Sequence, residues 1–217
     1  MMTAGTGLLA EGPTVVPEQI WWYVARSGGI VALLLAGLSV VWGLLLSTRV
    51  TGGRPTPKWL TSLHRHLGTL TVTFTSVHVA ALVADDYVDF GWSDVLVPLA
   101  SDWKPVPVAF GVIAFHLLIA VQISSLLMKR LPRRYWKLIH LSSFGLLWAG
   151  LVHGATAGSD ATNPLYTVAM AVLVCATLFL TLFRVLAGRR RRRPDVASSI
   201  RDRAVTRAAD RVNTVVS

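Results

Sequence analysis

Apolar residues run through this chain in five blocks, Gly28 to Leu46, Leu67 to Val83, Val106 to Met128, Tyr135 to Thr156 and Tyr166 to Leu186, with polar and charged residues between them. Each block falls within the roughly 17–25 residues that an α-helix needs to cross a hydrocarbon layer. The pattern predicts an all-α integral membrane protein, a bundle of about five transmembrane helices. The second block is the most polar, with Thr69, Thr71, Thr73, Thr75 and Ser76. Hydroxyls can bond back to helix carbonyls and suit a helix shielded by its neighbours, so this block is expected in the interior. Trp21, Trp22 and Tyr23 before the first block, and Tyr135 with Trp136 at the start of the fourth, are expected to be interfacial anchors.

Charge orients the bundle. The connection after the first block holds Arg49, Arg54, Lys58 and Arg65, that after the third holds Lys129, Arg130, Arg133, Arg134 and Lys137, and five arginines, Arg189 to Arg193, follow the fifth. Excess cations mark cytoplasmic loops. The other side receives Glu11, Glu18, Asp85, Asp86, Asp89, Asp94, Asp102 and Asp160, with only Arg26 and Lys104 as strong cations. The N-terminus is therefore expected outside and the C-terminus in the cytoplasm, in a plasma (inner) membrane. The expected division is an extracytoplasmic segment at 1–20, a transmembrane domain at 21–187 and a basic cytoplasmic tail at 188–217.

Composition adds exclusions. A net charge of +10 would suit nucleic acid, but the cations sit where topology needs them, so no nucleic-acid partner is expected and membrane lipid is. The single cysteine, Cys175, excludes an internal disulfide and is read as a packed core thiol. Met1 to Gln19 lack a basic n-region, so a cleaved signal peptide is not expected. Between the second and third spans, Ser93 to Leu99 is apolar enough to lie on the membrane surface or fold over the bundle. In the tail, Val196, Ile200, Ala204, Ala208 and Val212 recur every four residues among arginines, which fits a helix on anionic lipid or a disordered tail equally.

Four histidines carry the candidate chemistry. His64 lies just before the second block and His78 within it, and His140 and His153 lie on the fourth. His64 and His78 are fourteen residues apart, so they share a helical face to within about 40° and are separated by about 21 Å of rise. The second and fourth spans run in the same direction, so each level of the membrane receives one imidazole from each. Ionisable groups within spans are costly and hence functional candidates. Two facing tiers suit haem iron held axially by two histidines, which leaves no open position for substrate and so points to electron transfer. Zinc fits less well, because it takes four close donors. Core histidines bonded to hydroxyls or carbonyls, or a proton relay in a transporter, are the haem-free alternatives. The thirteen residues between His140 and His153 leave them about 140° out of phase on an ideal helix. The fourth span is therefore expected to be tilted, locally unwound near Ser142, Ser143 or Gly145, or to use two flanks. His66 is expected to face headgroups or a neighbour, and His116 to be hydrogen-bonded in packing. Haem propionates need cations. Arg65, Lys137, Arg133 and Arg49 are candidates at the cytoplasmic side, Arg26 and Lys104 at the other.

Leu63-His64-Arg65-His66-Leu67-Gly68, Ser93-Asp94-Val95-Leu96-Val97-Pro98, Trp136-Lys137-Leu138-Ile139-His140 and Leu151-Val152-His153-Gly154 resemble the ferric reductase-like transmembrane domain. That family includes the haem-carrying membrane parts of ferric reductases and NADPH oxidases, and the membrane subunit of a periplasmic methionine sulfoxide reductase. The resemblance covers about Trp22 to Leu186. It implies that His64, His78, His140 and His153 are axial ligands of two b-type haems, and that Arg26 is a recurrent family position. Full-length ferric reductases and oxidases continue into a flavin and nicotinamide domain, and the stretch after Leu186 is expected to form none. The implied donor is then a separate cytoplasmic reductase, a flavin from a partner, or membrane quinol, with an acceptor outside. Alternatives are a quinol-linked dihaem cytochrome b and a haem-free transporter or assembly protein.

Overall fold

The computed structural model describes residues 19–48, 57–85 and 90–192. These form seven α-helices and, among the described residues, no strand. They are α1 (Gln19–Thr48), α2 (Lys58–Val83), α3 (Trp92–Leu96), α4 (Pro105–Leu126), α5 (Arg133–Leu141), α6 (Ser143–Thr156) and α7 (Pro164–Arg192). Five spans are long and apolar enough to cross a membrane: α1, α2, α4, α5 with α6, and α7. Arg49, Arg54, the acidic residues Glu11, Glu18, Asp86 and Asp89, and the periodic stretch in the tail lie outside the described residues.

Helix starts follow local chemistry. Pro105 opens α4 and Pro164 opens α7, where a missing N–H costs nothing. At α7 the Asn163 carboxamide oxygen also accepts from the N–H of Leu165 at 2.9 Å, a conventional N-cap. The helices overrun the apolar blocks: α2 starts at Lys58 and α7 runs on to Arg192, past the predicted end at Leu186. Polar ends of this kind stand in the headgroup layer, where helix continues although hydropathy does not.

Helix α1 is the centre of the bundle. It packs extensively on α2 and also on α7 and α6, while α4 packs on α6. Its buried face, Ala25, Ala32, Ala36, Val40 and Leu44, is small toward one end, and Gly28 brings its backbone close to that of His78 on α2. Around Val40 and Leu44, Leu147 from α6 and Leu173 from α7 complete a core cluster. Leu147 is only 1% exposed. Since lipid is as apolar as leucine, what such a residue contributes is close contact. Leu147→Ala is accordingly expected to cost about 2 kcal/mol, the low end for such truncations, read as a lower thermal midpoint in detergent.

Three expectations are corrected. The threonine-rich second span is not interior: Thr69, Thr73 and Ser76 are exposed, and only Thr71 and Ala81 of α2 are buried. Thr69, Thr71 and Thr73 donate to the carbonyls of Arg65, Leu67 and Thr69, so the hydroxyls are satisfied within the helix and need no neighbour. Cys175 is exposed on α7 and is not a packed core thiol, because α7 turns only one face to α1. Trp136 is not an anchor reaching outward. It is turned inward, with a buried indole N–H.

Candidate functional site

Helix α2 packs chiefly on α1, and α6 chiefly on α4, so the two histidine-bearing spans face one another across a gap that α1 and α4 flank. Across it, His64 meets His140 with ring centres 6.0 Å apart, inclined at 74°. His78 meets His153 at 6.3 Å and 76°. The pairs form two tiers of near-identical geometry, called first (His64/His140) and second (His78/His153) below.

The thirteen-residue spacing that strained the fourth span is absorbed at Ser142. There α5 ends and α6 begins. The Ser142 N–H donates to the Ile139 carbonyl at 3.1 Å and its hydroxyl to the same carbonyl at 2.6 Å. This single tight turn overwinds the chain and carries His140 and His153 toward one face.

In the second tier, each imidazole is aimed by a carbonyl of a flanking helix. His78 donates Nδ1–H to Ala25 of α1 at 2.6 Å, and His153 donates Nδ1–H to Pro107 of α4 at 2.9 Å. A carbonyl can only accept, so Nδ1 carries the proton and Nε2 keeps its lone pair for a ligand. Each ring also lies against a glycine one helical turn beyond that carbonyl. A Cβ on Gly29 would stand 2.9 Å from His78 Nδ1, and one on Gly111 2.8 Å from His153 Nδ1. Real side chains do not approach so closely, so these glycines are seats for the rings. The first tier repeats the arrangement in part: His64 Nδ1 faces Ser39 Oγ at 3.4 Å, and a Cβ on Gly43 would stand 3.2 Å from its Cε1. Helix α1 thus offers two seats, Ala25 with Gly29 and Ser39 with Gly43, at the same fourteen-residue interval as the histidines. His140 has no such seat. Its Nδ1 is buried without a hydrogen-bond partner, and Trp136, one turn earlier, stacks on it at 5.0 Å and 17°.

The other two histidines differ in kind. His66 donates to Ser62 at 2.7 Å and His116 to Val112 at 2.9 Å, each a carbonyl of its own helix, and both rings are exposed. His66 faces outward as expected; His116 is hydrogen-bonded as expected but not packed inside.

A cavity of about 420 Å³ encloses the second tier. Its walls include Ala36, Val112, Leu118 and Leu146, and Phe90, Asp94 and Val95 close one side. The stretch before the third span therefore folds over this tier. It contains α3, which the sequence pattern did not predict, started by the Asp94 carboxylate accepting from the Gly91 N–H at 2.9 Å. Val95 is buried, while Leu96, Val97 and Leu99 are exposed.

Arg26 and Lys104 both line this cavity. Arg26 is held by Asp160 through two hydrogen bonds, Nε to Oδ2 at 2.6 Å and a second from its terminal nitrogen to Oδ1, and it lies over the Trp22 ring. Hydrogen bonding to Arg26 holds the Asp160 carboxyl below its ordinary range. Sequence reasoning placed Arg26 and Asp160 on one side of the membrane without pairing them. Lys104 sits over Trp103 and reaches the Thr156 carbonyl at 3.4 Å. Arg65, Lys137 and Arg133 are exposed at the first-tier end, apart from this cavity, and Arg49 lies outside the described residues. Among the described residues, no three His, Cys, Asp or Glu side chains converge as a metal cluster.

The fold and the site together define a multi-pass membrane protein with paired imidazoles at two depths. The chain belongs to the family of the ferric reductase like transmembrane component, whose model matches residues 28–152. The match includes His64, His78 and His140 and ends one residue before His153. That membership and the five apolar helices make it a multi-pass membrane protein of the ferric reductase-like class. Nothing matches it among curated proteins or among solved structures.

Proposed function

We propose that the chain carries electrons across the membrane through two b-type haems, one axially held by His64 and His140 and the other by His78 and His153. The observation that carries this is the pairing of four imidazoles in two tiers, with ring centres 6.0 and 6.3 Å apart. Two metal–nitrogen bonds of about 2 Å, plus half a ring on either side, require about 6 Å. The Nδ1–H bonds of His78 and His153 leave Nε2 free in the second tier, as axial ligation needs. Haem held by these four histidines would supply a one-electron iron couple, which suits transfer and not substrate binding.

The chain's own residues do the rest. Apolar walls on α1, α4 and α6 line the second tier. Lys104 is the cation best placed for a haem propionate there, and Arg26 is the second, sharing its charge with Asp160. Arg65 and Lys137 take that role at the first tier. Cations concentrate at the first-tier end, so that end faces the cytoplasm of a plasma (inner) membrane. Electrons enter there from a separate cytoplasmic reductase, a partner's flavin or membrane quinol, and leave to an acceptor outside.

A haem-free transporter is disfavoured by one contrast. His66 and His116 satisfy themselves on their own helices, whereas His78 and His153 are oriented by other helices toward each other. The absorption spectrum of the purified protein tests the proposal. Reduced b-type bands at about two haems per chain are expected, and a colourless preparation would sink it.

A further inference from the structure

We propose that α3 and the turn after it form a wedge inserted into the lipid at the second-tier end of the bundle, and that this insertion holds the cover of the cavity in place. The cover has two faces. Phe90 and Val95 are buried and line the cavity, while Trp92 and Leu96, one helical turn apart, are exposed on the other side, Trp92 over 65% of its surface. The exposed face continues through Val97, Pro98, Leu99 and Ala100, so that Leu96 to Ala100 is an unbroken apolar run without a charge. In water such a run would be a liability, and in lipid it is an anchor. The wedge is built by the chain alone, whatever occupies the cavity.

The backbone of the run points the same way. The Ala100 N–H donates to the Val97 carbonyl at 3.2 Å, closing a turn with Pro98 and Leu99 at its centre. Leu99 has a φ of 69° there, in the left-handed region, where a turn of this kind ordinarily takes glycine. A Cβ disfavours that conformation, and Leu99 is 62% exposed, so packing among the described residues offsets little of the strain. Contact outside the chain must do so. Depth makes that contact lipid. Trp22, one of the exposed aromatics at the start of α1, lines the same cavity as Phe90, Val95 and Trp103, which sets the cover at the level of an aromatic belt. Next in the chain, Val106 at the start of α4 is exposed, and Ile113, two turns on and on the same face, is exposed as well. The wedge continues the lipid face of α4. Since Leu96 to Ala100 includes no cation, apolar insertion holds it, and anionic headgroups are not needed.

The test uses the full chain in phosphatidylcholine bilayers. With Cys175→Ser removing the other thiol, a nitroxide is attached at Leu99→Cys and, for comparison, at Ile113→Cys and Asp102→Cys. Oxygen, which partitions into lipid, and a water-soluble nickel chelate compete to relax the label. The Leu99 label should follow that at Ile113 and be relaxed mainly by oxygen. Relaxation mainly by the chelate, as at Asp102, would put the patch in water with a soluble partner as its occupant, and overturns the proposal. Amide hydrogen exchange of Leu99→Gly in the same bilayers gives a readout without a label. Glycine relieves the positive φ, so a turn held by the chain alone would exchange more slowly. A turn held by lipid loses its anchor and should exchange several-fold faster over residues 92–100, with α1 and α4 unchanged. Slower or unaltered exchange there also overturns the proposal.

Discussion

On the proposed haem assignment, replacing His78 or His153 with alanine is expected to remove about half of the bound haem while the His64/His140 tier keeps its own, since a site held by two imidazoles would not survive the loss of one. The two tiers are independent by construction. They lie about 21 Å apart along the helices, and each has its own flanking contacts. His78 is oriented by Ala25 and His153 by Pro107, whereas His64 faces Ser39 and His140 lies under Trp136. No hydrogen bond links one tier to the other among the described residues. Haem content per chain, from the reduced spectrum and a protein assay, measures the effect. Simultaneous loss of both haems from a folded protein would show that the tiers assemble as one unit, and unchanged content would remove His78 and His153 from the ligand set.

The second large effect is expected at a residue that contacts no haem iron. Gly111→Val should abolish binding at the second tier although all four histidines remain. Already the first atom of a side chain there would stand 2.8 Å from both Cε1 and Nδ1 of His153, and valine adds two more carbons. The ring cannot retreat in its plane, because Pro107 fixes Nδ1 from the same helix. Gly145→Ala is the matched control. Its new Cβ would meet only Leu117, at an ordinary 3.5 Å, and haem content should be unchanged. If Gly111→Val binds haem like the unaltered protein, the glycine is not a seat and the second tier is less rigid than its hydrogen bonds imply.

Much of this was legible from the sequence, for a physical reason: ionisable residues inside apolar spans are rare enough to stand out. His64, His78, His140 and His153 could therefore be grouped by level from spacing and loop charge alone, and the structure pairs them in that way. Position around a helix was harder to read. Lipid and protein interior are both apolar, so periodicity does not say which side of α2 or α7 is buried, and Thr69, Thr73 and Cys175 face out against expectation. Trp136 was read from its place at a membrane boundary, yet its i to i+4 relation to His140 carried the better signal. The Arg26–Asp160 pair joins the start of α1 to the connection between α6 and α7, far apart in the chain, and has no local signature. Gly29 and Gly43 did have one. They repeat the His64–His78 interval on the preceding span, a match visible only once α1 and α2 are known to pack antiparallel.

Those two seats make α1 a ruler as well as a wall. Between Gly29 and Gly43 the side chains can vary as long as the packing face stays small, but the number of residues cannot. One residue inserted or deleted there would turn one seat about 100° away from its histidine. The connections between spans carry no such restriction. Length variation among chains built on this plan should therefore accumulate in the loops and stop at the borders of this fourteen-residue interval.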